Sequence, residues 1–345
     1  MKVTGTQVFV QVGPIPDYAW HYIIESSLLC PNFSTVLITD QQVKNPPVGV
    51  LVLELSSIVS RSEIKALKAT LESSTINAQW RENYWLRIFL RFLALRNYCQ
   101  GLDENAGLVI HLECDLATYT TEALALQLLA TATSSCLIPF IDHETACPGI
   151  ILAKSPDAMS KLCAYVVNEL ASDNEISDMN ALAKAGEAGL LGPLPTQPEQ
   201  SNTTMTIQLF DTFGQPGESQ EADCIFDAAA VGQYLFGIDP RNNSGQLIPG
   251  YRETRGGLDP GQWTDWRLAL SNDGFTRPTF VHNSRRFVLL NLHVHAKTIV
   301  PRPSLTDESW DDYLAIANGT LGARVTFTSN NRLANLLHKV LLRIS

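Results

Sequence analysis

The chain reads as an α/β protein built on a mixed, mostly parallel sheet flanked by helices. Three observations predict this. Short apolar strands alternate with helical runs through the N-terminal half. The first unit of that alternation has the length of a parallel β-α-β crossover. Acids fall where predicted strands stop, at Asp40, at Glu113 with Asp115, and at Asp142. In open α/β sheets, ligands sit beyond the carboxyl ends of the strands.

VFVQV (8–12) is the first strand. A helical run starts at Asp17 and ends at Pro31, and STVLIT (34–39) returns as the second strand. VGVLVLEL (48–55) is the third. Ser60 and Glu63 have capping-box spacing and open an amphipathic helix with Ile64, Leu67 and Leu71 on one side. A longer helix spans roughly residues 79–99, so rich in apolar residues that it is largely buried. Its Arg87 and Arg91 lie four apart, on one face.

GLVIHLECD follows as a buried strand. Alternation puts His111, Glu113 and Asp115 on one side of it. Thr121 to Ala132 reads as a helix, CLIPFI (136–141) and CPGIILA (147–153) as strands. Ser155-Pro156-Asp157 starts the next helix, with Pro at its first position. Asp173, Glu175 and Asp178 precede or open another, where acids oppose the helix dipole.

The signal thins after Gly186, and GLLGPLPTQPEQSNTT reads as a linker. MTIQLFD resumes as a strand, FDAAAVGQYLF holds a short helix, and residues 240–285 read as loop-rich. RRFVLLNLHVHAK (285–297) is one strand. Helices at 308–317 and 330–343 around a strand at 322–328 complete the chain. Asp227 and Asp239 read as cap and turn residues.

A formal charge of −10 over 345 residues argues against general affinity for nucleic acid or anionic membranes. The seven cysteines form no CxxC pair and read as buried reduced thiols. MKVTGTQVFVQVGP lacks the apolar run of a secretory signal, and no stretch approaches a membrane span. The expectation is a cytoplasmic protein in which the four Asn-x-Ser/Thr sequons are chance matches. The chain contains no Gly-x-Ser-x-Gly elbow, no Walker A loop and no Gly-x-Gly-x-x-Gly.

Two constellations carry chemistry. Glu113 and Asp115 can share one hard cation, as Mg²⁺ or Mn²⁺ is usually held by carboxylates, waters and phosphate oxygens. The same pattern also suits a strand end with its acids in solvent. His293 and His295 alternate onto one face, with Lys297 next in register, and neutral imidazole ligates Mn²⁺ or Zn²⁺. A pair of hydrogen-bonded histidines is the alternative. Arg87 and Arg91 suit a diphosphate, or a solvated helix face.

In this layout the chain resembles a nucleotide-sugar-dependent glycosyltransferase of the GT-A fold. The resemblance rests on the β-α-β start, the helix WRENYWLRIFLRFLALRNYC, the motif Glu113-Cys114-Asp115, the strand CPGIILAK, the helix ISDMNAL and the late NLHVH. It covers roughly residues 5–300, with Glu in place of the motif's first Asp.

The resemblance implies a Rossmann-like nucleotide-binding half at 1–118, an acceptor half at 119–300 with an insertion at 240–285, and a C-terminal closure at 301–345. It implies Mn²⁺ or Mg²⁺ held by Asp115, Glu113 and His293 or His295. The donor, a UDP-sugar first among candidates, would lie along Val12, Gly13, Asp40, Arg87, Arg91 and Glu113. A glycan or other hydroxyl would be the acceptor, with Asp178 as general base if the reaction inverts. A metal-dependent hydrolase using the histidine pair and a non-catalytic carbohydrate- or protein-binding module are the alternatives.

Overall fold

The computed structural model describes residues 5–76, 83–103, 105–173, 175–200, 206–210, 219–237, 258–297, 299–300, 302–303 and 309–318. They gather into two compact units. One comprises the described residues up to Leu116 together with Thr120–Leu194, the other Ala117–Tyr119 together with those from Pro195 onward.

The first unit is the α/β part. In chain order it holds β1 (Gly5–Gln11), α1 (Asp17–Leu29), β2 (Phe33–Thr39), β3 (Val50–Glu54), α2 (Leu55–Ile58), α3 (Arg61–Glu72), α4 (Tyr84–Gln100) and β4 (Leu108–Leu112). After β5 (Leu116–Thr118), which leads into the second unit, come α5 (Glu122–Thr131), β6 (Cys136–Pro139), β7 (Ile150–Ala153), α6 (Pro156–Ser172), α7 (Asp178–Glu187) and β8 (Leu191–Leu194).

Seven strands make one sheet in the order β3-β2-β1-β4-β7-β6-β8. All neighbouring pairs are parallel except those made by β7. The sheet is therefore mixed and mostly parallel, as expected. β8 departs from expectation: Leu191–Leu194, read as linker, is the strand at one edge. Its Gly192 and Pro193 conceal it in sequence, and an edge is where a strand tolerates Pro.

Strand alternation divides the core. Val8, Val36, Val109 and Ile151 face one side, where they pack with Phe89, Phe92 and Leu93 of α4, Leu162 and Val166 of α6, and Leu182 of α7. Helix α1 packs on β2 and α5 on β7, with Tyr22, Ile23, Leu124 and Leu128 buried. Helix starts follow their capping residues. Ser60 and Glu63 form the expected box before α3, and Ser155 accepts from the Ala158 N–H before α6. Helix α4 starts at Tyr84; the expected start at 79–82 lies outside the described residues.

The second unit carries β9 (Thr206–Phe210), β10 (Ser219–Ile225), α8 (Ala230–Phe236), β11 (Thr264–Ser271), β12 (Thr276–His282), β13 (Arg285–Leu289), β14 (Asn291–His293) and α9 (Ser309–Ala317). Five strands close a barrel in the order β10-β13-β12-β11-β9, and β14 pairs with β5. The loop-rich reading of 240–285 is corrected over its described part, because 264–271 and 276–282 are barrel strands, while 240–257 lies outside the described residues. Trp263 stacks on Phe280 at 4.0 Å, and Trp266 and Phe287 pack around the same ring. Arg277, fully buried, donates through Nε and Nη2 to the Tyr119 carbonyl at 3.1 and 3.0 Å and ion-pairs with Asp273. This ties the residues just after Asp115 into the barrel unit. The expected strand at 322–328 and helix at 330–343, with Asp239, lie outside the described residues.

Candidate functional site

In the sheet of the first unit, the chain leaves β1 for β2 on one side and reaches β4 on the other. The order reverses there, and the carboxyl ends of β1 and β4 flank the crevice that such a switch point opens. Several of the expected donor- and metal-site residues follow strands at this end of the sheet. Val12 and Gly13 follow β1, Asp40 follows β2, and Glu113 and Asp115 follow β4.

Gly13 has φ +95°, a conformation that favours glycine. Its N–H donates to Asp40 Oδ1 at 2.7 Å. The Arg87 guanidinium lies over it: a Cβ at Gly13 would stand 3.4 Å from Arg87 Cζ and Nη1. Gly13, Asp40 and Arg87 therefore form one cluster, with Asp40 and Arg87 exposed.

A second cluster forms one helical turn further along α4. Arg91 is buried and donates to Glu113 through Nη1 and to Asp178 Oδ2 through Nη2, the latter at 2.9 Å. Its ring neighbour is Phe92, 4.9 Å from the guanidinium carbon. Burial pushes the Asp178 carboxyl above its ordinary value, against the pull of the Arg91 charge. Arg87 and Arg91 share a face of α4, so one helix joins the two clusters.

His111 answers differently from its sequence neighbours. It is fully buried in β4, and Nδ1 lies 2.9 Å from the Val8 carbonyl in β1. A carbonyl only accepts, so Nδ1 carries the proton. Burial, helped by the Arg91 charge, drives its pKa down to about 3 and keeps the ring neutral. His111 thus clamps β4 to β1 as part of the core. β4 ends at Leu112, and the Leu116 N–H donates to the Glu113 carbonyl at 3.2 Å. Glu113 and Asp115 therefore sit in a turn, where the sequence predicts continued strand.

In the second unit, β14 stops at His293. The His295 N–H donates back to the His293 carbonyl at 2.9 Å, and Lys297 has φ +57°. The expected run of His293, His295 and Lys297 along one strand face is thereby corrected. A tight turn stacks the two imidazoles at 4.2 Å instead. Sequence alternation cannot show such a turn.

Asp227 is fully buried beside them and accepts the N–H groups of Val231 at 2.8 Å, Gly232 at 2.8 Å and His293 at 3.0 Å. Burial raises its pKa against those three bonds. In sequence, FDAAAV offers Asp227 as a polar contact or a cap, and the bond to the His293 N–H is beyond what that context shows.

No protein-family model and no curated protein sequence matches the chain. Among solved structures, it is similar to mouse xyloside xylosyltransferase 1 at 9% identity, covering 56% of this chain and 86% of that one, with a TM-score of 0.36. It is similar to the galactosyltransferase LgtC, solved with donor and acceptor sugar analogues, at 7% identity over 55% of this chain and 73% of that one, TM-score 0.34. It is also similar to 4-diphosphocytidyl-2C-methyl-D-erythritol synthase from Anaerococcus prevotii, at 8% identity over 59% and 91%, TM-score 0.32. No helix among the described residues is long and apolar enough to cross a membrane.

Proposed function

We propose that the protein is a metal-dependent glycosyltransferase that moves a sugar from a nucleotide-sugar donor, a UDP-sugar first among candidates, to an acceptor hydroxyl. The observation that carries this reading is the pair of arginine-bearing clusters at the β1/β4 switch point. Gly13 and Asp40 offer a backbone turn and a carboxylate for base or ribose, and Arg87 beside them offers charge for a diphosphate.

Glu113, Asp115 and one of His293 and His295 are the residues proposed to hold Mn²⁺ or Mg²⁺. Two carboxylates and an imidazole nitrogen suit those ions. Chain connectivity supports the set: Asp115 immediately precedes β5, and β5 pairs with β14, which ends at His293. A bound divalent cation supplies positive charge opposite the leaving diphosphate.

The acceptor oxygen bonds to the anomeric carbon as the bond from that carbon to the diphosphate breaks, and the nucleoside diphosphate leaves. In an inverting reaction, Asp178 would take the hydroxyl proton. A raised pKa suits a base, and Arg91 orients the carboxylate. A retaining reaction needs no such base.

One observation favours the binding-module reading. Arg91 engages both Glu113 and Asp178, so two of the proposed acids already have a buried partner. Turnover separates the two. The purified chain is incubated with a panel of UDP-sugars and Mn²⁺, and UDP release is measured for wild type, Asp115→Asn and Asp178→Asn. Release that needs Mn²⁺ and is lost in Asp115→Asn supports the transferase. No release with any panel sugar, together with no UDP-dependent rise in melting temperature, favours the module.

A further inference from the structure

One carboxylate in the second unit has no part in the proposed chemistry, yet it holds the backbone of a proposed ligand. Asp227 lies between β10 and α8, and its side chain is wholly inside the unit. Oδ1 accepts the Val231 N–H, and Oδ2 accepts those of Gly232 and His293. Its own backbone is clasped in turn. The Asp227 N–H donates to Asn291 Oδ1 at 2.9 Å, and Asn291 Nδ2 donates to the Asp227 carbonyl at 3.0 Å.

Gly232 makes the arrangement close. A Cβ there would overlap the His293 carbonyl and stand 3.0 Å from Asp227 Oδ2. The result is a pocket of backbone donors around one charge, with β14 pinned at both ends: Asn291 by its side chain, His293 by its N–H. With its backbone held and its ring stacked on that of His295 at 4.2 Å, the imidazole of His293 is oriented before any ligand arrives.

We propose that Asp227 is a positioning residue, one that presets His293 for cation binding. This rests on the reading of His293 as a cation ligand. Buried charge is a costly way to cap a seven-residue helix, and Ser or Asn has only one acceptor oxygen, whereas the Val231 and Gly232 N–H groups of α8 take different oxygens of Asp227. A carboxylate has the lone pairs to hold the helix end and the strand end together. Outer-shell groups that orient a ligand typically alter metal affinity by about 10- to 100-fold.

The test uses the full chain and Mn²⁺ alone, with free ion followed by electron paramagnetic resonance. Variants are His293→Ala, Asp227→Asn and the double variant, each also melted without metal. The expected result is weaker Mn²⁺ binding in His293→Ala. Asp227→Asn should weaken it by about 10- to 100-fold, and should add nothing in the His293→Ala background. Its effect on melting should persist in both backgrounds, since the helix cap is lost either way.

If Asp227→Asn does not fold, Asn291→Ala loosens the same carboxylate and leaves it in place. It should weaken binding by about twofold or more, and only when His293 is present. A normal Mn²⁺ affinity in the folded Asp227 or Asn291 variant, with His293→Ala impaired, overturns the inference alone. Equal loss in both backgrounds does the same. Unchanged affinity in His293→Ala overturns the ligand role of His293 and this inference with it.

Discussion

Arg91 pairs with Glu113 and Asp178 in the candidate site, and the neutral ring of His111 ties β4 to β1. Removing the Arg91 guanidinium leaves the buried Asp178 carboxylate without its partner. Arg91→Met should cost about 3–5 kcal/mol in chemical denaturation, the penalty for stranding one member of a buried pair. Adding Asp178→Asn should recover part of it. His111 predicts a pH dependence. Its folded pKa, about 3, lies below the ordinary 6.5, so between those values the unfolded chain takes up a proton that the folded chain refuses. The stability His111 contributes is fully present above pH 6.5 and falls as pH drops, by up to ~1.4 kcal/mol per unit. Denaturation from pH 7 to 4 should show a shallower loss in His111→Gln than in wild type, and parallel curves would contradict the assignment. The acids, arginines and histidines of the site were legible in the sequence as residue types. What each one touches was not. His111 and Glu113 are two apart, yet one bonds a β1 carbonyl and the other an arginine from α4. Those partners are 103 and 22 residues away in the chain.

At the scale of elements, the first unit was the more legible. Its strands are continuous apolar runs, and its helices begin at strong caps such as Ser60 and Ser155. The barrel was harder because its strands carry charge and are broken up by residues that usually end strands. Pro278 sits inside β12, and β11 begins with the exposed Thr264 and Asp265, the latter at φ +47°. Closure onto neighbours far along the chain, such as β10 beside β13, holds these segments as strands. The packing of α8 on β14 gives a direct test of an element contact. Gly232→Ala forces a methyl group against the His293 carbonyl. It should cost about 1–3 kcal/mol, as overpacking does, read as a lower melting temperature. A neutral result would mean that α8 and β14 stand further apart.

At the scale of the molecule, composition and chemistry agree. All seven cysteines are buried and free, and burial pushes Cys30, Cys99, Cys136 and Cys224 up to about 12. Under native conditions at pH 8 they should resist Ellman's reagent, and all seven should react after unfolding in denaturant. Nucleotide-sugar binding that depends on a cation at Asp115 can be read directly by thermal melting. The full chain would be melted with a panel of nucleoside diphosphates, with and without Mn²⁺, as wild type and as Asp115→Ala. A ligand that binds only the folded state raises the melting temperature, by about 2.7 kcal/mol of stabilisation at a hundredfold excess over Kd. The melting temperature should rise with UDP only when Mn²⁺ is present, and the rise should disappear in Asp115→Ala. A rise with UDP that does not need Mn²⁺ or that survives in Asp115→Ala, or no rise with any nucleotide, would contradict cation-dependent nucleotide binding.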